Sequence, residues 1–321
     1  MKVLMITGDA RMLEPHTEAH ERYLLQKSQV DELVVVVWGP RRPLAFFAVL
    51  GQALTRRFNV VTAQDAQWRG MLGLIAARLG GARLQVQLHG DLDYVRGVSR
   101  TLLQIVLWHA DAIRAVSERI RAQAEGLGAR AFVDVLPVFI DTDAINAAPA
   151  ADVKKEFPQF GKTVLFAGRL EQEKNCAEAL AVFKQVLGEF PGAGLIVAGG
   201  GSQRSELVAL ARDLGVADRV VFAGYRPDVR SLYKAVDCLL VTSLHESWGA
   251  AIVEALYADC AVVSPDVGVA REAGAIVVPR EELGAAVIQV LRTGARGHLR
   301  LSLPDRDEWA RRWRETLNQT K

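Results

Sequence analysis

Hydrophobic residues along the N-terminal half of the chain fall in short runs, separated by segments with helical spacing. The run Leu33–Val37 is nearly all valine, which is typical of a strand buried on both faces of a sheet. Strand–helix–strand units with short links predict a parallel sheet with helices on both faces. The predicted strands are Val3–Ile6, Leu33–Val37, Asn59–Thr62, Leu84–Leu88, Ala112–Val116 and Phe132–Leu136.

A second alternating series follows the proline- and alanine-rich segment Pro137–Pro149, which interrupts the rhythm. Its strands are predicted at Thr163–Ala167, Leu195–Ala198, Val220–Phe222, Cys238–Val241 and Ala261–Val263. Helices are predicted at Ala177–Gly188, Arg204–Leu214, Gly249–Ala258 and Asp305–Leu317, the last with Trp309 and Trp313 on one face.

These patterns predict an α/β protein with two Rossmann-like, doubly wound domains that face a central cleft. The predicted boundaries are residues 1–140 for the first domain, 141–160 for a linker, 161–303 for the second domain and 304–321 for a C-terminal helix that packs back on the first domain. In such sheets ligands bind beyond the carboxyl ends of the strands.

Composition narrows the classes of protein to consider. The 321 residues contain 39 Lys and Arg against 37 Asp and Glu, so bulk charge argues against a nucleic-acid partner. Three cysteines, Cys176, Cys238 and Cys260, form no close-spaced motif. Together with the lack of a recognisable signal peptide, they predict a reduced, cytoplasmic setting.

Two glutamates eight positions apart carry the strongest candidate chemistry. Glu246 lies in a loop after a predicted strand, and Glu254 lies in the helix that Gly249 opens. The N–H groups of Gly249 and Ala250 suit a phosphate, and Glu254 can accept hydrogen bonds from two sugar hydroxyls. The alternative is a capping residue followed by an ordinary surface glutamate.

A second candidate stretch follows the strand that ends at Gly168. Arg169 comes next and Lys174 five positions later, so two cations at one strand end could bind a diphosphate. The alternative is surface charge paired with Glu171 and Glu173.

Together these stretches resemble the retaining nucleotide-sugar glycosyltransferases of family 4, which have the GT-B fold. The family carries a strand–Gly-Arg-Leu–loop–Lys element followed by a Glu–seven residues–Glu element, in this order and at about this separation. The resemblance implies that Arg169 and Lys174 bind the diphosphate, Glu254 the ribose and Glu246 the transferred sugar. It also implies donor contacts at Gly8, Tyr225, Arg226, Gly249 and Ala250.

In the first half, the resemblance implies that His89 contacts the donor sugar with a catalytic role and that Asp91 contacts the acceptor. A histidine that simply caps a strand end is the alternative. The triplets Asp91-Leu92-Asp93 and Asp141-Thr142-Asp143 spell Asp-x-Asp, the metal motif of a different glycosyltransferase fold. We expect neither a metal site nor a cofactor, and we interpret Gly199-Gly200-Gly201-Ser202 as a tight turn.

The expected activity is retaining, metal-independent transfer of a sugar from a nucleotide-diphosphate sugar to a glycan or lipid-linked acceptor. Alternatives are a GT-B epimerase, a sugar phosphorylase or a nucleotide-sugar-binding protein without turnover. Arginines 41, 42, 56 and 57 flank the apolar segment 43–55, a composition that fits weak peripheral contact with a membrane. The alternative is that Leu44, Phe47, Leu54 and Phe58 form one helical face that covers the sheet.

Overall fold

The computed structural model describes residues 1–15, 17–39 and 42–318. They form two compact units, the first comprising Met1–Phe139 with the chain from Pro304 onward, the second comprising Ile140–Leu303. Within the described residues, each unit contains one parallel sheet of six strands. This confirms the predicted α/β class with two doubly wound sheets.

The first sheet has the strand order β2-β1-β3-β4-β5-β6. Its strands are β1 Lys2–Thr7, β2 Glu32–Val37, β3 Val60–Ala63, β4 Arg83–Leu88, β5 Ala112–Ala115 and β6 Val133–Val135. The helices between them are α1 Glu18–Ser28, α2 Arg42–Thr55, α3 Trp68–Gly80, α4 Val98–His109 and α5 Glu118–Gly126. The chain first moves from β1 to β2 and then crosses to β3 on the other side of β1. The carboxyl ends of β1 and β3 therefore form the topological switch point, where open α/β sheets bind ligands.

The second sheet has the order β12-β11-β10-β7-β8-β9, so its switch point lies between β7 and β10. The strands are β7 Lys162–Ala167, β8 Ala193–Ala198, β9 Val220–Gly224, β10 Cys238–Leu240, β11 Ala261–Ser264 and β12 Ile276–Val277. The helices are α6 Thr142–Ala147, α7 Val153–Glu156, α8 Cys176–Glu189, α9 Arg204–Asp213, α10 Val229–Ala235, α11 Ala250–Tyr257, α12 Ala270–Ala273 and α13 Leu283–Thr293. The two-residue edge strand β12 is too short to leave a hydrophobic pattern, and sequence reasoning missed it.

The last helix, α14 Arg306–Asn318, belongs to the first unit although it follows the second along the chain. It packs against α1, and Trp309 and Trp313 enter the core cluster that contains Val3 and Met5 of β1. Right-handed crossovers place α2 to α5 on one face of the first sheet and α1 on the other. The helix α14 thus covers the α1 face.

A buried polar network fixes α14 against this sheet. Arg114 of β5 is 2% exposed, and its guanidinium donates to Gln87 Oε1 at 2.7 Å and to the carbonyl oxygens of Leu136 and Pro137 at 3.1 and 2.8 Å. The Trp309 indole N–H donates to the same Pro137 oxygen at 2.9 Å, and its ring centroid lies 5.4 Å from the Arg114 guanidinium carbon. A buried cation needs such a set of acceptors, because burying it without them is costly.

The first prediction concerns this packing. Trp309→Ala removes a side chain that is 1% exposed and leaves a cavity, so it should lower the free energy of unfolding by about 3–5 kcal/mol. The matched control is Trp68→Ala, because Trp68 is 55% exposed and its loss should change stability little. Urea unfolding followed by circular dichroism measures both. Equal losses in the two variants would contradict the role of α14 in the core.

Candidate functional site

The switch point of the second sheet brings together the two loops that sequence analysis singled out. The loop after β7 carries Arg169 and Lys174, and the loop after β10 carries Glu246. Leu244 N–H donates to Glu173 O at 2.8 Å, and Thr242 Oγ1 donates to Asn175 O at 2.9 Å. These bonds hold the two loops side by side.

Lys174 and Glu246 meet across this junction. Lys174 Nζ forms an ion pair with Glu246 Oε1, which also accepts a hydrogen bond from Ser243 Oγ at 2.8 Å. Arg169 pairs with Glu173 four residues on and is largely exposed. Arg169 therefore makes a local pair of the kind that the surface-charge alternative describes, whereas Lys174 joins a partner 72 positions away. Binding of a diphosphate by either side chain stays a prediction. Glu171 instead accepts hydrogen bonds from the N–H and Oγ of Ser202, at 2.8 and 2.7 Å.

Glu254 lies in the second turn of α11 and is 8% exposed. The alternative of an ordinary surface glutamate is therefore wrong. Gly249 precedes the helix with a φ of 91°, in the left-handed region that favours glycine. Because Ala250 begins α11, the free N–H groups of the first turn lie at the same strand edge as Arg169 and Lys174, where the helix dipole favours an anion.

The loop after β9 presents one exposed side chain, Tyr225, and one side chain paired with carboxylates, Arg226. Tyr225 directly follows Gly224 at the end of β9 and is 83% exposed. Arg226 lies between Glu156, with which it forms an ion pair, and Asp228, to which it donates two hydrogen bonds at 2.7 Å. Both carboxylates raise the pKa of Arg226 above its ordinary value. The guanidinium ties the loop after β9 to α7, and a donor contact from it stays a prediction.

The segment Gly199–Ser202 follows β8 and approaches the β7 loop closely. A Cβ on Gly199, whose φ is 152°, would lie 1.8 Å from Gly168 O. Only glycine fits there, which agrees with a tight turn.

In the first unit, His89 directly follows β4 and is half-buried. Burial, followed by the nearby cations Arg114 and Arg22, lowers the pKa of His89 to about 3, so the imidazole is neutral at pH 7. Together with Gly8 it lines a cavity that lies within this unit.

Asp91 is buried, and its carboxylate binds neighbouring groups of the first unit. Its Oδ1 accepts hydrogen bonds from the Asp93 N–H at 3.1 Å and from Gln123 Nε2 at 2.9 Å, and Arg119 Nη2 lies 3.7 Å from its Oδ2. These contacts cap the short helix Leu92–Tyr94. Contact between Asp91 and an acceptor stays a prediction.

Arg280 is a positioning residue that sequence reasoning missed. It pairs with Glu178 of α8, and it donates to the carbonyl oxygens of Thr242 at 3.0 Å and Ser243 at 2.5 Å. These carbonyls belong to the loop that carries Glu246, so Arg280 holds that loop from behind. No motif marks Arg280 in the sequence, because its partners, one carboxylate and two backbone carbonyls, lie far away along the chain.

Comparison with known families identifies the chain. The family described as "Glycosyl transferases group 1" matches residues 149–296, and the "Glycosyl transferase 4-like domain" matches residues 6–138. Both models describe glycosyltransferases and together they match most of the chain, so the chain belongs to the glycosyltransferases, with a 4-like domain followed by a group 1 domain. The matched ranges include both loops of the Lys174–Glu246 junction and the strand edge that carries His89.

Relatives agree with the family assignment over part of their length. A 2-deoxystreptamine glucosyltransferase of Streptomyces kanamyceticus is 33% identical over 225 residues, which are 63% of this chain and 57% of that protein. A GDP-mannose-dependent alpha-(1-6)-phosphatidylinositol monomannoside mannosyltransferase of Mycobacterium tuberculosis is 32% identical over 48% of this chain and 42% of its own. The matching segment thus spans about half the length of these curated relatives.

Solved structures support the fold. The Anabaena protein HepE in complex with UDP and glucose has a TM-score of 0.73 at 18% identity and covers 99% of this chain and 95% of its own. Sucrose-phosphate synthase from Thermosynechococcus elongatus has a TM-score of 0.76 at 14% identity and covers 99% and 94%. The predicted GT-B fold is thereby confirmed.

The second prediction concerns Arg280. Arg280→Gln leaves the carbonyls of Thr242 and Ser243 without their charged donor, and it should cost about 1–3 kcal/mol of stability in urea unfolding. Arg292→Gln is the matched control, because Arg292 forms an exposed 3.0 Å pair with Glu189 that should contribute at most about 1 kcal/mol. A smaller loss at Arg280 than at Arg292 would contradict this role.

Proposed function

We propose that this protein is a retaining glycosyltransferase that moves a sugar from a nucleoside diphosphate to an acceptor hydroxyl without a metal ion. The observation that carries the proposal is the ion pair between Lys174 and Glu246 at the switch point of the second sheet. It brings a diphosphate-binding cation and a sugar-binding carboxylate, as the family resemblance implies, into direct contact.

Charge complementarity assigns the parts of the donor. Arg169, Lys174 and the first turn of α11 supply positive charge for the diphosphate. The carboxylate of Glu254, one turn further along α11, accepts hydrogen bonds from the ribose hydroxyls. Tyr225 and Arg226, in the loop after β9, are the proposed contacts to the base. Gly8 of the first unit is a further proposed donor contact. Solved relatives in complex with UDP and UDP-glucose support a nucleotide-sugar donor.

Donor binding would change the partner of Lys174. A diphosphate that binds the Lys174 ammonium group in place of Glu246 leaves Glu246 Oε1 with the Ser243 hydroxyl as its hydrogen-bond donor. The carboxylate can then accept a hydrogen bond from a hydroxyl of the transferred sugar. The exchange couples recognition of the leaving group to orientation of the sugar.

The proposed reaction is a same-face displacement. The bond from the anomeric carbon to the diphosphate oxygen breaks, and a bond from that carbon to the acceptor oxygen forms on the same face. The acceptor proton passes to the departing phosphate, so configuration is retained. Arg169, Lys174 and α11 stabilise the charge that develops on the leaving group, a form of electrostatic catalysis. His89 is neutral at pH 7 and contacts the sugar as a hydrogen-bonding group.

Metal independence rests on how the aspartates are used. The first aspartate of each Asp-x-Asp triplet caps a helix, since Asp91 accepts from Asp93 N–H and Asp141 from Ala144 N–H at 3.0 Å. The cations of the β7 loop take the place at the diphosphate that a metal ion has in other enzymes.

The third prediction tests the activity. The protein, screened with UDP-, GDP- and ADP-sugars and a panel of sugar and lipid acceptors, should release nucleoside diphosphate only when an acceptor is present. The rate should survive EDTA, and proton NMR of the product should show the anomeric configuration of the donor. Release of an epimerised donor, transfer to inorganic phosphate, or binding without turnover would favour the alternatives, and loss of activity with EDTA would contradict metal independence.

The fourth prediction separates the roles of the charged residues. Lys174→Gln should weaken nucleoside diphosphate binding about tenfold or more, because a hydrogen bond to a charged group contributes about 1.5–3 kcal/mol. Glu254→Gln should mainly raise the KM for donor, and Glu246→Gln should mainly lower kcat. Lys184→Gln, an exposed lysine of α8, is the matched control for calorimetry. If the three site variants change binding and turnover as little as the Lys184→Gln control does, then Lys174, Glu246 and Glu254 have a structural role instead.

We also propose that the first unit contacts an anionic membrane surface through α2, α3 and α4, which pack side by side. The expected apolar face of α2 does not cover the sheet: Leu44, Phe47 and Leu54 are each more than 60% exposed, and Ala45, Val49 and Ala53 are buried instead. Phe58 is buried but lies beyond the helix. Further exposed apolar side chains on the three helices are Phe46, Trp68, Ile75, Leu79, Val98, Ile105 and Trp108.

Charge next to this surface is basic. Arg57 and Arg78 are exposed, Arg56 pairs with Glu32, and Arg130 stacks on the Trp108 ring with its guanidinium carbon 3.2 Å from the centroid. Arg41 lies outside the described residues. None of the described helices is long and apolar enough to cross a bilayer.

The fifth prediction tests this contact by co-sedimentation with vesicles. The protein should pellet with anionic vesicles at low salt and remain in solution with neutral ones, because each basic residue near an anionic surface contributes about 1 kcal/mol. Phe47→Glu should abolish pelleting. Leu24→Glu is the matched control, because Leu24 is exposed on α1, on the opposite face of the sheet from these helices. Equal recovery in every supernatant would contradict the proposal.

A further inference from the structure

The first unit contains a cavity of about 340 Å³ at its own topological switch point. Gly8 and Asp9, which follow β1, and Gln64, which follows β3, form part of its wall. The volume lies at the small end of the range for ligand pockets, about 300–1,000 Å³. Each lining residue among those that the structure describes belongs to the first unit.

Positive charge dominates the cavity wall. Its described lining residues include three arginines, Arg22, Arg69 and Arg114, and one carboxylate, Asp9, while Asp65, the partner of Arg69, is not among them. Asp9 already pairs with Arg11, through two contacts of 2.9 Å from Nε and Nη2. Arg114 donates only to neutral acceptors in the bonds described above. The wall therefore offers more cationic than anionic groups.

Burial and neighbouring cations lower the pKa of two groups that line the cavity, Arg114 and His89. Burial lowers the pKa of Arg114 to about 9, with a further contribution from Arg22. Arg114 and Arg22 in turn help to lower the pKa of His89, which also lines the cavity. An anion placed among these groups would relieve their mutual repulsion.

The Arg69 guanidinium lies close to the backbone of Gly8 in the cavity wall. A Cβ on Gly8 would lie 2.2 Å from Arg69 Nη2, so any other residue at position 8 would displace the guanidinium. Arg69 pairs with Asp65, while its buried Nε has no hydrogen-bond partner among the described residues. A buried donor of this kind is costly unless a further acceptor satisfies it.

We propose that this cavity binds a phosphate group carried by the acceptor. The proposal rests on the proposed function, because it names the substrate class of the same transfer reaction. The donor diphosphate has its own cations in the second unit, Arg169 and Lys174. A separate cationic cavity in the other unit is therefore available for a different anion. Arg22 and Arg69 would contact the phosphate, while Arg114 keeps its backbone acceptors and contributes through its charge.

Calorimetry on the full chain tests the proposal with three probes, inorganic phosphate, glucose 6-phosphate and glucose. Glucose 6-phosphate should bind at least tenfold more tightly than glucose, and phosphate should compete with it. Arg22→Gln and Arg69→Gln should each weaken glucose 6-phosphate about tenfold and leave binding of nucleoside diphosphate unchanged. Arg78→Gln, an exposed change of the same charge on α3, should alter neither.

The outcomes separate this proposal from the proposed function. Equal affinity for glucose and glucose 6-phosphate, or unchanged affinity in both correctly folded variants, would overturn the acceptor subsite while transferase activity persists. Displacement of glucose 6-phosphate by UDP would also overturn it, because the cavity would then serve the nucleotide. Failure of the proposed function would instead appear as loss of nucleoside diphosphate binding and turnover in the unmodified protein. Circular dichroism of each variant establishes that it is folded.

Discussion

Parallel strand pairing is the constraint on which the chemistry of this chain depends. When neighbouring strands run in one direction, their carboxyl ends meet at one edge, and residues far apart in sequence become neighbours there. Lys174 and Glu246 are separated by 72 positions, yet β7 and β10 pair directly and their loops end at the same place. The same rule in the first sheet brings the residues after β1, β3 and β4 to one cavity.

The positive charges at the two switch points are compensated in different ways. In the second unit the cations Arg169 and Lys174 are balanced by the carboxylates Glu173 and Glu246, so their mutual repulsion is small. In the first unit Arg114 is buried against carbonyl and amide oxygens, which solvate the cation without neutralising it. An anionic ligand in the second unit must therefore compete with Glu173 and Glu246, whereas one in the first unit competes with Asp65 for Arg69 but with no carboxylate among the acceptors described for Arg114.

Sequence reasoning succeeded where local pattern decides structure. Short valine- and leucine-rich runs identified eleven of the strands, and the spacing of Trp309 and Trp313 identified the buried face of α14. For α2 it left two interpretations open, and the alternative of a sheet-covering face of large residues is wrong, because Leu44, Phe47 and Leu54 are exposed while the small Ala45, Val49 and Ala53 are buried. Small residues at intervals of four let a helix lie close to its neighbours, and hydrophobicity alone does not distinguish that face from a face of large exposed residues.

Contacts made by arginine to backbone carbonyls were also beyond reach from sequence. Besides the side chains of Gln87 and Glu178, Arg114 and Arg280 each bind two main-chain oxygens of loops, which every residue type presents equally. The tertiary fold determines which main-chain oxygens these arginines bind, so no pattern of residue types predicts them. Such arginines join stability to function: Arg280 fixes the loop of Glu246, and Arg114 fixes α14 while its charge shapes the cavity beside His89. Replacing either by a neutral residue would alter both the packing and the electrostatics of its unit, because the same guanidinium supplies both.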